Sequence, residues 1–455
     1  MIKFLKICCL IFAICLAGCS ALTEFRSDMA DKVFGREPPN PAAKIEDFTA
    51  SYATKVDWSV QTGDTDKYDY TPALFDGAVY AANAKGEIMR LDVTNGRQAW
   101  RVNTKEIISG GVGIGPNLVL VGSSKGNVLA YDMAGKFLWK AKVSSEVLSA
   151  PRFFDGYVIA RTGNSHIFGL DAATGERKWV YERSMPALTL RNSAGIVVDG
   201  GAVYAGFAGG KMAAVRADNG KLIWEATVAQ PKGVTEIERI ADITSLPFVD
   251  GPLVYAVAYQ GRIAAIDRVN GKVVWNRDIS SFSGLTAEDS RIFVSHTLGS
   301  VYSLDYTTGR TFWRQGALAN RRLTTPLSMG SLLAVGDLEG YIHFLSRDDG
   351  KFVGRIKVDG EPVMSLVAGN NSQVLAATRG GGLYAIRVGD DATKQTTVPI
   401  VKPAAEKSAV PAATPVVEPT TSPTSETSAE PSSERSILFQ KNDSILLPEA
   451  IPEPK

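Results

Sequence analysis

The sequence predicts an all-β fold: an eight-bladed β-propeller of four-stranded antiparallel blades, its ring closed by an N-terminal strand. Three observations carry this. A phrase running Asp, then Gly, then Trp recurs along the chain, as in LDVTNGRQAW, LDAATGERKW, IDRVNGKVVW and LDYTTGRTFW. Its copies are mostly 38–45 residues apart, a period that suits one four-stranded blade. The last copy lacks a Trp strand of its own, whereas a Trp without a copy stands near the N-terminus.

In chain order, the first element is a targeting signal. Lys3 and Lys6 precede the apolar run ICCLIFAICLAG, which is too short to span a bilayer. It ends in Leu16-Ala17-Gly18-Cys19, which resembles the bacterial lipoprotein signal. The resemblance implies that residues 1–18 are removed and that Cys19 is lipidated. An ordinary signal peptide or a short anchor helix is the plainer alternative. Residue 20 is Ser rather than Asp, which by resemblance to Gram-negative sorting favours the outer membrane, facing the periplasm. Several acyl chains hold firmly, at about 0.8 kcal/mol per buried CH₂. Membrane attachment is therefore expected through lipid alone. Residues 19–44, including REPPNPAAK, read as a polar, Pro-containing leash.

The propeller is expected over residues 45–388. The marker acids are Asp92, Asp132, Asp171, Asp267 and Asp305, with Arg216, Ser346 and Arg387 in degenerate copies. Each copy runs through short β-rich stretches bounded by Gly, Asp and Asn. The Asp is suited to bond turn amides, and the Gly supplies positive φ. Trp100, Trp139, Trp179, Trp224, Trp275 and Trp313 each follow a turn Gly by four. Such residues are expected between blades, where they cover large apolar areas. Copy seven has Gly354 in the Trp slot, and copy eight ends at GLYAIRV. The seventh Trp, Trp58, lies in TKVDWSVQ, so residues 54–60 are predicted to complete blade eight and close the ring. Residues 389–455 are rich in Pro, Ala, Ser, Thr and Glu, and are expected to be disordered. An apolar patch in that tail, SILFQKNDSILL, is either a docking motif or inert.

Composition excludes several functions. The net charge of +1 over 455 residues offers no concentrated basic excess for a nucleic-acid partner. All four cysteines lie in the first nineteen residues, which leaves residues 20–455 without a disulfide or thiolate ligand. His166, His296 and His343 fall at different points of different copies and show no metal-ligand spacing. No GxSxG elbow occurs, and RGGG at 379–382 is explained by a tight turn. No catalytic residue, metal or cofactor is therefore expected. The repeats are similar to those of PQQ-dependent alcohol dehydrogenases, whose vicinal disulfide and Ca²⁺ ligands have no counterpart here. A membrane-tethered quinoprotein or ligand-binding propeller remains the second reading.

Lipoprotein signal, leash, closing strand and eight repeats together resemble the BamB family, lipoprotein propellers of the outer-membrane β-barrel assembly machinery. The likeness spans about residues 1–388. Two stretches sharpen it. SMPALTLRNSAG (184–195) resembles a loop that contacts the periplasmic POTRA region of BamA, which implies partner roles for Leu188, Leu190 and Arg191. EIERIADITSLP (236–247) resembles a second such loop, matching at Arg239 and Asp242, with Thr244 where the family usually has an acid. Two leucines in a polar connection also suit local core under the loop. A third segment, LANRRLTTP (318–326), reads as a solvated turn despite Arg321 and Arg322. The resemblance implies a non-enzymatic, monomeric scaffold that binds BamA and assists insertion of outer-membrane β-barrels. Unfolded client strands are further expected partners, held at blade edges by β-augmentation.

Overall fold

The computed structural model describes residues 40–389 except 187, 191–193 and 371. Cys19, the signal segment and the tail lie outside the described residues. Thirty-two strands form eight four-stranded antiparallel sheets. In blades one to seven, strands adjacent in sequence are adjacent in space. The middle strands are buried on both faces, as in Ala202–Gly206, while outer strands such as Phe137–Lys142 alternate exposed and buried.

Blade eight breaks the sequential order. Its outer strand is Ala53–Gln61, antiparallel to Gly382–Gly389 with Ala53 opposite Gly389 and Gln61 opposite Gly382. The strand expected over 54–60 thus exists, with a bulge between Val56 and Trp58.

The repeat residues have the roles their chemistry suggests. Asp267 accepts hydrogen bonds from the amides of Val269 (2.9 Å) and Asn270 (3.0 Å). Asp92, Asp132, Asp171 and Asp305 clasp their turns in the same way. All seven indoles donate across a seam, to the carbonyl following the marker of the next copy. Trp58 reaches Val93 (2.9 Å) and Trp224 reaches Arg268 (2.8 Å). Trp100, Trp139, Trp179, Trp275 and Trp313 repeat the bond at 2.8–3.2 Å.

The turn glycine has a second role that the sequence did not reveal. Gly271 has φ +74°, and a Cβ placed there would lie 2.8 Å from the ring of Trp224, one blade earlier. Gly271→Ala is therefore expected to cost about 1–3 kcal/mol, from left-handed strain plus displacement of the indole. Gly77, at φ +67° with nothing within 4 Å, isolates the strain. Denaturant unfolding of both Ala variants should show the larger loss at Gly271.

One seam has no Trp. Between blades seven and eight, Gly354 faces Thr54 Cγ2 and the Tyr52 carbonyl, each 3.3 Å from a Cβ placed there, and Thr54 donates to the Arg355 carbonyl at 3.1 Å. The chain before the closing strand fills this seam. The amides of Ser51 and Tyr52 donate to Val353 (2.9 and 3.0 Å), and Ala43 donates to Ala319 at 2.8 Å. Residues 43–52 thus cover an edge that blade seven would otherwise expose.

Beneath this segment lies a buried ionic cluster, so the solvated turn expected at 318–326 is corrected in part. Arg321 is only 2% exposed and donates to Asp337 (2.6 Å), Glu339 (2.5 Å) and the Ala43 carbonyl (2.8 Å). Arg322 is exposed. Arg321 is buried because the N-terminal segment returns over it. Asp337 also bonds His343 Nε2 at 2.9 Å, while Arg355 Nε donates to His343 Nδ1 at 3.0 Å and Arg355 Nη1 to the Glu46 carbonyl at 2.8 Å. With Nδ1 an acceptor, His343 is neutral and its Nε2–H donates.

Burial drives the His343 pKa below its ordinary value, although Asp337 opposes the shift. The folded state therefore resists a proton that the unfolded chain takes up near pH 6.5. This contribution to stability is present above pH 6.5 and is lost as pH falls below it, at up to about 1.4 kcal/mol per pH unit. Unfolding free energies between pH 7.5 and 5.5 should show this slope, and His343→Gln should flatten it.

Candidate partner-binding face

Antiparallel pairing fixes two ends of the ring. Connections between blades and the turns joining second to third strands lie at one end, here called the connection face. The Asp–Gly turns lie at the other.

The two irregular stretches singled out in the sequence occupy neighbouring positions on the connection face. Residues 182–195 join Arg177–Tyr181 of blade three to Ile196–Asp199 of blade four. Residues 228–247 join Leu222–Thr227 of blade four to Phe248–Asp250 of blade five. One carboxylate ties them together. Asp242 accepts from the Leu190 amide at 2.8 Å through one oxygen and from the Gly209 amide at 3.0 Å through the other. Its own carbonyl accepts from Tyr259 at 2.8 Å. Asp242 is 2% exposed, so it sets the shape of the face from below rather than presenting a charge to a partner.

The first loop is held at three points. Arg183 near its start pairs with Glu225 and stacks on Phe207 at 5.4 Å. Leu190 is held by Asp242. Ala194 near its end accepts from Arg161, which lies on the same Phe207 ring at 5.2 Å. Burial lowers the Arg161 guanidinium to about 10. Between these anchors, Met185 (38%) and Leu188 (44%) expose apolar side chains, and Leu190 is half-buried. Arg191 lies outside the described residues.

The second loop carries a turn at 234–240. The Glu238 carboxylate accepts from the amides of Val234 (2.8 Å) and Thr235 (3.1 Å), and the Glu238 amide donates to Thr235 Oγ1 at 3.2 Å. Those amide bonds hold the Glu238 carboxyl below its usual range. The turn exposes Val234 (97%) and Ile237 (68%). Arg239 stands in solvent, 3.7 Å from Glu236. Thr244 is half-buried, and its hydroxyl donates to the Phe282 carbonyl at 2.9 Å, within the next connection.

Met185, Val234 and Ile237 were not singled out from the sequence, although each is an apolar residue in a polar connection. Among the described residues, no three or more His, Asp or Glu side chains gather as a metal site. His166, His296 and His343 stand on blades three, six and seven.

Ring, tryptophan seams and paired connections define a class: a PQQ-like repeat propeller whose distinctive surface lies in its inter-blade loops. The chain belongs to the BamB family. The family model described as "Outer membrane protein assembly factor BamB" matches residues 84–315 and 297–417. The outer membrane protein assembly factor BamB of Nitrosomonas eutropha is 37% identical over 387 residues, covering 84% of this chain and 95% of that protein. That of Pseudomonas aeruginosa is 38% identical, over 76% of this chain and 93% of its own. The crystal structure of BamB from Moraxella catarrhalis superposes with a TM-score of 0.68 at 27% identity, covering 74% of this chain and 100% of that one. A quinohemoprotein alcohol dehydrogenase from Comamonas testosteroni shares the fold alone, with a TM-score of 0.59 at 14% identity, over 76% of this chain and 78% of its own.

Proposed function

We propose that this chain is a non-enzymatic scaffold of outer-membrane protein assembly, and that its connection face binds the POTRA region of BamA. The carrying observation is the Asp242 clasp, which joins the two loops through the Leu190 and Gly209 amides. Leu188 and Met185 then serve as apolar anchors, with Arg191 and Arg239 as a charged rim. Asp242 acts as a positioning residue rather than a contact. In this reading Cys19 carries the lipid, residues 20–40 form the leash, shorter than the 19–44 expected because the chain docks on the propeller from Pro41 and Ala43 onward, and the propeller faces the periplasm.

Co-purification from native membranes in mild detergent tests the reading. BamA and its associated subunits should be recovered with the wild-type chain. Recovery without BamA would overturn the proposed partner. Tm and absorbance after addition of PQQ and Ca²⁺ test the quinoprotein reading: a thermal shift with dye-linked alcohol oxidation would favour it.

A further inference from the structure

We propose that the mouth of the central channel on the connection face binds the carboxylates of an acidic peptide segment. The cavity there has a volume of about 780 Å³. Its walls are largely apolar, including Leu148, Leu246, Phe282 and Met364. Against this, its charged lining among the described residues is Arg152, Arg322 and Arg379 with a single acid, Asp69.

The three arginines differ in what already satisfies them. Arg379 is engaged, with Nη2 3.5 Å from Asp69 and Nη1 donating to the Asp66 carbonyl at 3.2 Å. Among the described residues, the guanidinium groups of Arg152 and Arg322 have neither an ion-pair nor a hydrogen-bond partner. A half-buried guanidinium without an acceptor is costly, and a bound carboxylate would satisfy it. Arg152 carries that cost: burial alone lowers its pKa. Arg322 carries a backbone cost instead, at φ +47°. That left-handed residue follows Arg321, whose side chain is committed to Asp337, so the adjacent pair divides between the core and the channel.

A free inorganic anion would leave the apolar wall unused, whereas a peptide with acidic and apolar side chains uses both. The ends of the two loops above, Gly195 and Leu246, also line this mouth, so a segment resting on the connection face can continue into it. The site does not depend on the partner proposed for those loops.

Fluorescence anisotropy with the full chain in mild detergent tests the proposal, using a labelled peptide of alternating Glu and Leu and the same peptide with Gln for Glu. The Glu peptide should bind in a salt-dependent manner, the Gln peptide at least tenfold more weakly. Arg152→Gln with Arg322→Gln should weaken the Glu peptide at least tenfold at unchanged Tm. Arg322→Gln alone, at an exposed position, should weaken it severalfold and serves if the double variant does not fold. Equal binding to wild type and variants would overturn the proposal, as would no binding of the Glu peptide. Displacement by inorganic phosphate at an equal affinity would also overturn it, showing a free-anion site.

Discussion

A chain beginning at residue 62 is expected to lose cooperative unfolding, whereas one beginning at residue 40 keeps it. The shorter chain lacks Ala53–Gln61, which leaves Gly382–Gly389 as an exposed edge and the ring open. It also lacks Trp58, which is 6% exposed and bonded to blade one. Loss of a buried Trp alone costs about 3–5 kcal/mol, against a total of about 5–15 for a typical domain. The segment covering Arg321 goes too, which removes its Ala43 acceptor and opens the Arg321–Asp337 pair to water. Calorimetry should show a broad or absent transition for the shorter chain, together with aggregation. A peptide spanning 40–61 added in trans should restore much of the transition. A sharp transition at an unchanged Tm would show that closure contributes little.

If the proposed BamA contact exists, Leu188→Asp combined with Arg191→Glu is expected to weaken it at least 100-fold without unfolding the propeller. Leu188 is 44% exposed, so a carboxylate there disturbs little of the fold. At an interface it would place a desolvated charge against an apolar partner and lose an anchor. Truncating a central anchor commonly costs 2 kcal/mol or more, and about 1.4 is tenfold. Asp242→Ala acts differently. It leaves two part-buried amides without their acceptor, at about 1 kcal/mol of stability, and lets both loops move. A smaller loss of affinity, about tenfold, is expected.

The fold was legible because a propeller writes its geometry into its period. Each turn Gly stands about one repeat after the Trp it receives, as Gly271 does after Trp224. The closing strand followed from Trp58 alone, since the repeat left one slot empty and one indole without a copy. The covalent neighbourhood of Asp242 was equally legible, but its burial was not. Its acceptor role depends on Leu190, 52 residues away, and on a turn in a third segment. Arg321 misled for the same reason: the segment that buries it lies 278 residues upstream. Local composition announces a loop; distant chain decides which of its charges remain in water.

The central claim is that the clasped connections, and not the repeat itself, bind the partner. Calorimetric titration of the purified BamA POTRA region into wild type, the Leu188→Asp/Arg191→Glu variant and Asp242→Ala tests it most directly, with Tm recorded for each. The expected order is tight binding by wild type, about tenfold weaker for Asp242→Ala, and at least 100-fold weaker for the double variant, whose Tm stays at that of wild type. Equal affinity for all three proteins would contradict the claim.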